Sequence, residues 1–182
     1  GGQTQRVVDA IPQEQLDALP LGRLDFIGMN IYNSVMVCAG ADGKPEFCPR
    51  AAGHPRTAIG WPVTPESMEW GTHFIWERYG LPIYITENGL SCTDSIHLDG
   101  KVHDPARIDF IHRYLLALRR AIDGGVDVRG YFHWSLLDNF EWSEGYNERF
   151  GLIYLDYATG KRTPKDSAAW YAKVAETNGK NL

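Results

Sequence analysis

The sequence predicts an α/β fold in which parallel strands alternate with helices. Three short apolar segments, each followed by a loop and then by a helical pattern, succeed one another along the 182 residues. Such an alternation is typical of parallel strands joined by right-handed crossovers. Polar and aromatic residues directly follow each apolar segment, at the strand ends where folds of this class place their active sites. The sequence therefore predicts a functional site at one edge of a parallel sheet.

The first predicted strand is the apolar segment at 24–31. A helix is predicted at about 65–79, because Thr64-Pro65-Glu66 is a typical helix start and Gly80 a typical helix end. The connection at 33–63 contains Gly, Pro, Cys and Asp without a clear period. No helix or strand is assigned to it.

The second unit combines a strand at 82–87 with a helix at about 105–123. Asp104 is predicted to cap the helix, Pro105 fits its first turn, and Gly124-Gly125 ends it. The spacing of its apolar residues predicts one buried face, formed by Ile108, Ile111, Leu115, Leu118 and Ile122.

The third unit has its strand at 128–134 and its helix at about 165–176, opened by Thr163-Pro164. Between them, 152–157 with the turn residues 158–160 predicts a small hairpin outside the main sheet. The whole chain is predicted to be a single domain, with a lead-in segment at 1–23 and βα units at 24–80, 81–125 and 126–182.

The run at 84–90 places one acidic side chain, Glu87, at the end of an apolar strand. Burying an ion is costly unless it is paired or hydrogen-bonded, so a carboxylate at the mouth of a buried strand usually lies in a polar cavity. Asn88-Gly89 provides the turn that stops the strand. Glu87 is therefore a candidate nucleophile, and the alternative interpretation is a solvated turn residue.

The segment at 130–151 alternates aromatic residues with carboxylates and amides. A pyranose has apolar faces and a rim of hydroxyls, so aromatic rings suit its faces and polar side chains suit its rim. The alternative is an aromatic packing loop over one end of the fold. His133, on the strand beside Trp134, is interpreted as a packing residue more readily than as a catalytic one.

The composition limits the other classes of function. A formal net charge of -5 argues against a nucleic-acid or anionic-membrane surface, and no apolar run approaches the length of a membrane span. Three cysteines, Cys38, Cys48 and Cys92, predict free thiols rather than a disulfide framework or a zinc site, which favours a cytoplasmic location. The histidines form no metal-binding motif. Neither a metal nor a cofactor is predicted.

Three motifs together resemble the family-1 glycoside hydrolases, the β-glucosidase family. They are Ile-Thr-Glu-Asn-Gly at 85–89, Asp-Phe-Ile-Gly-Met-Asn-Ile-Tyr at 25–32, and the segment at 130–151. They occur in the order and spacing of the family's C-terminal part, and the resemblance extends from about residue 24 to residue 175.

The resemblance implies that Glu87 is the catalytic nucleophile and that Asn30 and Tyr32 border it. The family more often has two consecutive tyrosines after this Asn, whereas Ile31 precedes Tyr32 here. The residues that it implies in substrate binding are Trp134, Glu141, Trp142, Phe150 and Trp61.

The family's fold is a (β/α)8 TIM barrel, of which the resemblance assigns roughly the last three βα units to this chain. A closed barrel of this kind needs about 250 residues. The family's acid/base motif, similar to Thr-Phe-Asn-Glu-Pro, does not occur in the sequence, and the chain begins at Gly1 without an initiator Met. We therefore expect a fragment.

The implied activity is retaining hydrolysis of a β-glycoside, with the acid/base Glu outside this chain. Because Glu141 would repel a phosphate near the C4 and C6 hydroxyls, an unmodified glucoside or related glycoside is the expected substrate. The predicted partners are this substrate and the missing N-terminal barrel half, in the same or a separate chain, and a homo-oligomer remains open. The alternative is a non-catalytic carbohydrate-binding or structural half-barrel.

Overall fold

The structure is a computed structural model that describes residues 10–18 and 22–182. The helices are α1 (Gln13–Ala18), α2 (Glu66–Tyr79), α3 (Pro105–Asp123) and α4 (Asp166–Glu176). The strands are β1 (Ile27–Asn30), β2 (Val37–Ala39), β3 (Pro45–Phe47), β4 (Ile83–Asn88), β5 (Val128–His133), β6 (Ile153–Leu155) and β7 (Arg162–Pro164), and a 3₁₀ turn covers Trp142–Glu144.

The main sheet contains three parallel strands in the order β1-β4-β5. Its central strand carries Glu87, which lies in register with Asn30 of β1, while Asn88 lies in register with His133 of β5. Because the strands are parallel, the residues that follow them collect at one edge of the sheet. The two neighbours of the central strand therefore flank Glu87.

The core lies between this sheet and the helices α2, α3 and α4. Ile83 and Ile85 of the central strand are fully buried there, together with Ile111 and Tyr114 of α3. The other face of the sheet is open, and Phe26 and Phe132 each expose more than half of their surface. The fold therefore buries one side of the sheet and leaves the other side to solvent.

The predicted strands and helices of all three units are confirmed, with boundaries that differ by at most three residues. Gly80 ends α2 with φ 61°, a left-handed conformation that glycine adopts without steric cost. The hairpin predicted at 152–160 is confirmed as β6 and β7, although Thr163-Pro164 belongs to its second strand and Lys165 precedes α4. Much of the predicted lead-in segment lies outside the described residues.

The connection at 33–63, in which the sequence has no clear period, contains the antiparallel hairpin of β2 and β3. Every residue of the two strands is exposed, so no burial pattern marked them in the sequence. The expectation of free thiols was wrong for two cysteines. Cys38 and Cys48 form a disulfide across this hairpin, and only Cys92 is a free thiol. The predicted cytoplasmic location therefore loses the support of these two residues.

The start of α3 also differs from the prediction. Asp104 occupies the capping position, but its carboxylate makes no capping hydrogen bond to α3. Instead it accepts hydrogen bonds from the backbone N–H of Ser167, at 2.9 Å, and from the Ser167 hydroxyl, and it pairs with Arg107. Asp104 thus satisfies a free N–H in the first turn of α4. At the other end of α3, Ile122 of the predicted buried face is 45% exposed.

Candidate active site

The predicted nucleophile, Glu87, is the fifth residue of the central strand, and its side chain is half-buried. Its backbone carbonyl accepts a hydrogen bond of 3.0 Å from the N–H of Ile31. The Tyr32 hydroxyl donates a hydrogen bond of 2.8 Å to its Oε2 atom. Two adjacent residues of one neighbouring strand end therefore fix both the backbone and the carboxylate of Glu87.

Tyr114 holds the backbone of Tyr32 by a hydrogen bond. The Tyr114 hydroxyl donates to the Tyr32 carbonyl at 2.8 Å and accepts from the N–H of Thr64 at 2.9 Å. Burial raises the pKa of Tyr32, and its hydrogen bond to Glu87 and the negative charges of Glu87 and Glu141 raise it further. Tyr32 is therefore a neutral phenol that keeps its proton for donation to Glu87.

Asn30 lies beside Glu87 in register, but its side chain bonds elsewhere. Its Oδ1 atom accepts a hydrogen bond of 2.6 Å from the Thr86 hydroxyl. Within residues 10–18 and 22–182, its side-chain nitrogen has no hydrogen-bond partner. Asn30 is exposed at the sheet edge, beside the half-buried Glu87.

Asn88 is a further residue of the site that the sequence predicted only as part of a turn. It is fully buried; its side-chain nitrogen donates to the Ile31 carbonyl at 2.7 Å, and its oxygen accepts from the Tyr131 hydroxyl at 2.7 Å. One amide thus joins β4 to the strand ends on both sides, immediately after Glu87. The apolar pattern of the strand in the sequence predicted the position of Asn88 but not its hydrogen-bond partners on the other strands.

Gly89 allows the next loop to approach. A Cβ atom at this position would lie only 2.0 Å from the backbone oxygen of Trp134, so no other residue fits without a shift of the backbone. The Trp134 N–H donates to the Asn88 carbonyl at 2.8 Å in the same place. The peptide bond between Trp134 and Ser135 is cis.

Three of the predicted residues form an aromatic wall beside Glu87. The ring centroids of Tyr32 and Trp61 are 5.2 Å apart, those of Trp61 and Phe150 are 6.1 Å apart, and those of Tyr32 and Phe150 are 6.4 Å apart. Two of these contacts are edge-on, which aromatic pairs favour. Trp61 is placed by a turn in which its N–H donates to the Thr57 hydroxyl. The structure therefore brings Trp61 and Phe150 to the Tyr32 side of Glu87.

A second group of predicted residues follows β5. The Trp134 indole N–H donates to Oε2 of the buried Glu141 at 3.2 Å, and the Glu141 N–H donates to the Gly145 carbonyl at 2.6 Å. Glu141 lies close enough to Tyr32 for its charge to raise the Tyr32 pKa. Trp142 begins the 3₁₀ turn with 78% of its surface exposed, so it does not pack into this group.

His133 packs beneath the site. Burial lowers its pKa to about 3, so the imidazole is neutral above that pH. One ring nitrogen, Nε2, lies 3.2 Å from the Phe150 carbonyl, to which it donates in the tautomer that we assign. These contacts support the packing interpretation of His133. They also connect the end of β5 to the aromatic wall.

A histidine pair lies outside this group, near the start of α4. The His103 ring bonds to Asp166 at 2.6 Å and to Asp99 at 3.0 Å, and its centroid is 5.1 Å from that of His97. Both carboxylates raise the pKa of His103, with Asp166 the larger influence. Across the described part of the chain, no group of three or more His, Cys, Asp or Glu side chains is arranged to hold a metal ion.

Glu87 is half-buried and its neighbour Asn30 is exposed, so the site is accessible to solvent. Among the described residues, cavities of about 420 and about 610 Å³ lie elsewhere, and Glu87 lines neither of them. Glu87 instead lies at an open sheet edge, with Tyr32 and the aromatic wall on one side and Trp134 and Glu141 on the other. None of the helices in the described ranges is both long and apolar enough to cross a membrane.

The family model for glycosyl hydrolase family 1 matches residues 3–180. This chain belongs to glycosyl hydrolase family 1. The β-glucosidase A of Thermotoga maritima is 45% identical over 160 residues, covering 86% of this chain and 35% of that protein. A 6-phospho-β-galactosidase of Leptotrichia buccalis is 40% identical over 175 residues, covering 84% of this chain and 37% of that protein. Identity alone therefore does not separate phosphorylated from unmodified substrates within the family.

The fold agrees with that of solved members of the family. A β-glucosidase from Thermotoga maritima in complex with glucoimidazole superposes with a TM-score of 0.82 at 42% identity, covering 94% of this chain and 39% of that one. The parallel βα units of this chain are thus consistent with the TIM barrel of family 1. The chain spans about a third of the length of the curated relatives that it matches.

Proposed function

We propose that this chain supplies the nucleophile and one wall of the glycone site of a retaining β-glycosidase that hydrolyses terminal, non-phosphorylated β-D-glucosyl or related residues. The observation that carries the proposal is the Tyr32 hydrogen bond to Glu87 at the end of the central strand. A neutral donor on one carboxylate oxygen orients the other oxygen for attack, and family membership supplies the class of reaction.

In this mechanism the free oxygen of Glu87 attacks the anomeric carbon, and the bond between that carbon and the leaving oxygen breaks. A second carboxylic acid, about 5 Å from the nucleophile in retaining enzymes, gives its proton to the leaving oxygen. The same group then removes a proton from water, which displaces Glu87 and releases the sugar. We propose that this acid/base group is a glutamate of the N-terminal part of the barrel, outside this chain.

Glu141 and the aromatic residues account for the choice of sugar. Trp134 holds one oxygen of Glu141 by its indole N–H, which leaves the other oxygen for sugar hydroxyls. Trp134 itself would form the apolar floor, with Trp142 closing over the ring. A carboxylate at the C4 and C6 hydroxyls repels a phosphate at C6, so we favour the unmodified sugar. Trp61 and Phe150 would face the leaving group and the side of the ring.

We further propose that the chain provides the last three units of a (β/α)8 barrel and forms one domain with the rest. The open face of the sheet, with Phe26 and Phe132 exposed, supports this because barrel strands normally bury that face. Strands β1 and β5 each pair on one side only among the described strands, so each edge is available to a further strand. The remaining units belong to the same or to a separate polypeptide.

One observation favours a second candidate function for the isolated chain. The chain spans about a third of its relatives, and its sequence lacks the family's acid/base motif. Alone, it would then be a sugar-binding or structural half of the barrel without turnover. Homo-oligomer formation through the open strand edges stays a prediction, which light scattering at high protein concentration tests.

The test of the catalytic proposal is Glu87→Gln in the assembled barrel, with hydrolysis of a nitrophenyl β-glucoside as the measurement. We expect turnover to be abolished while the circular dichroism spectrum is retained. The matched control is Glu77→Gln, on the exposed surface of α2, which should keep full activity. Near-normal turnover by the Glu87 variant would remove this residue from the role.

A further inference from the structure

Six charged side chains form a buried cluster behind the predicted sugar-binding loop. Three carboxylates balance three cations, and five of the six side chains are 0–3% exposed, while the sixth, Arg149, is 14% exposed. We call this group the charged cluster; its members are Asp94, Asp104, Asp138, Arg107, Arg149 and Lys165.

Asp138 is the member that touches the loop after β5. Its Oδ1 atom accepts from Lys165 Nζ at 2.8 Å and from the Gly151 N–H at 2.9 Å. Its Oδ2 atom accepts from Arg149 Nη1 at 2.6 Å and from the Leu155 N–H at 3.3 Å. All four contacts reach residues that lie beyond Glu141 in the sequence. Asp138 therefore joins the first part of the loop after β5 to the residues that end it.

This loop carries most of the predicted sugar contacts. Asp138 lies between Trp134 and Glu141 in the sequence, and its partner Gly151 directly follows Phe150. A Cβ atom on Gly151 would lie 2.2 Å from the backbone nitrogen of Asp138, which shows how closely the two ends approach. The position of the Asp138 carboxylate thus sets the distance between the Trp134–Glu141 pair and the aromatic wall.

The charged cluster also reaches the segment that follows the nucleophile strand. Lys165 Nζ bonds to both Asp138 and Asp94, and Asp94 lies seven residues after Glu87. Arg107 Nη2 bonds to Asp94 at 2.7 Å and to the Arg149 carbonyl at 2.8 Å. A continuous series of charged hydrogen bonds therefore joins the loop after β4 to the loop after β5.

Such a cluster is a poor source of net stability, because desolvation offsets most of the attraction between buried ions. What the charges supply is geometry, since each carboxylate oxygen and each cation N–H has a fixed direction. An apolar cluster would hold the helices together without fixing the position of the loop after β5. A displacement of about 1 Å at a reacting site can cost about 100-fold in rate.

We propose that Asp138 is a positioning residue for sugar selection, acting through Trp134 and Glu141 and held in place by Lys165. The proposal rests on the proposed function, because it assigns Glu141 to the C4 and C6 hydroxyls. Asp138 does not touch the sugar itself. Its role is to keep the Glu141 carboxylate at the distance at which it distinguishes a sugar that bears the C6 hydroxymethyl group from one that lacks it.

The test compares a nitrophenyl β-glucoside with the matching β-xyloside, which lacks the C6 hydroxymethyl group. The readout is the ratio of kcat/KM for the two substrates in the assembled barrel. This ratio is independent of how much of a variant is folded, because both substrates report on the same active molecules. In Asp138→Asn we expect the preference for glucoside to fall about tenfold, mainly through loss on the glucoside.

Lys165→Met is the second variant, and it should move the ratio in the same direction, because it removes one of the four contacts that hold the Asp138 carboxylate without altering the loop sequence. Asp156→Asn is the matched control, since Asp156 lies in the turn of the β6–β7 hairpin and, within the described ranges, its carboxylate accepts hydrogen bonds only from that turn. The control should leave the ratio unchanged.

A ratio within twofold of wild type in both variants would overturn the positioning role, even if total activity falls. Failure of both variants to fold would also overturn the positioning role, because we propose that these charges fix the geometry of the loop rather than stabilise the fold. If wild type hydrolyses neither substrate, the proposed function fails. The same ratio, taken from the dissociation constants of methyl β-glucoside and methyl β-xyloside, then decides the role of Asp138 without turnover.

Discussion

Replacing Asn88 with alanine removes the side chain that joins the three strands beside Glu87. In the native structure its amide donates to the Ile31 carbonyl and accepts from the Tyr131 hydroxyl, each at 2.7 Å, and Asn88 itself is completely buried. Alanine would leave both partner groups without a hydrogen bond. Because water does not reach this position, the lost bonds are not replaced.

The expected magnitude follows from these two contacts. A buried polar group left without a partner costs about 1–3 kcal/mol, so two such groups predict a loss of about 4 kcal/mol in the free energy of unfolding. Tyr131→Phe removes one hydroxyl and leaves only the Asn88 oxygen unpaired, which predicts about 2 kcal/mol. The double variant should cost no more than Asn88→Ala alone, because it removes both members of one hydrogen bond.

The assay is urea denaturation followed by tryptophan fluorescence and circular dichroism, with Asn147→Ala as the control. Asn147 is exposed, and its replacement should change the free energy of unfolding by less than about 0.5 kcal/mol. If Asn88→Ala costs no more than this control, the amide does not join the strands. Strictly additive losses in the double variant would likewise refute the hydrogen bond between Asn88 and Tyr131.

Three other predictions concern single groups. Because the pKa of His103 is raised, its ion pairs stabilise the fold fully below about pH 6.5, and this stabilisation is lost as the pH rises through the raised pKa. The urea midpoint of the wild type should therefore fall between pH 6 and pH 9, and that of His103→Gln should change less. Burial raises the pKa of Cys92 to about 11, so a thiol reagent at pH 8 should modify almost no thiol in the native protein. It should modify one thiol after unfolding and three thiols after reduction, whereas three thiols after unfolding alone would refute the disulfide. Tyr32→Phe removes a hydrogen bond to a charged group, so kcat should fall about 10- to 100-fold, and a change of less than twofold would contradict its role beside Glu87.

The sequence predicted the parts of the fold that depend on local signals. Helix α2 ends at Gly80 because glycine adopts the left-handed conformation there, and that signal can be read from the chain alone. The central strand is marked by its buried Ile83 and Ile85. Because the strands are parallel, their order predicted that the residues following them would collect at one edge, and the family resemblance implied that Tyr32 would border Glu87.

The features that the sequence did not predict depend on long-range partners. Asp104 has the residue type and position of a helix cap, but Ser167 and Arg107 compete for its carboxylate. The pairing of Cys38 with Cys48 depends on an exposed hairpin that has no apolar alternation. The bonds of Asn88 to two other strands, like those of Asp138 to the charged cluster, likewise appear only once the chain has folded.

The most direct test of the central claim is to incubate the protein with a 2-deoxy-2-fluoro-β-glucoside that bears a very good leaving group, and then to map the modified peptide by mass spectrometry. The reagent needs little help from an acid, so it reports on the nucleophile alone. We predict one stable adduct per chain, on Glu87. An adduct on Glu141 or on any other residue, or turnover of the reagent by a folded protein in which Glu87 is never modified, would contradict it.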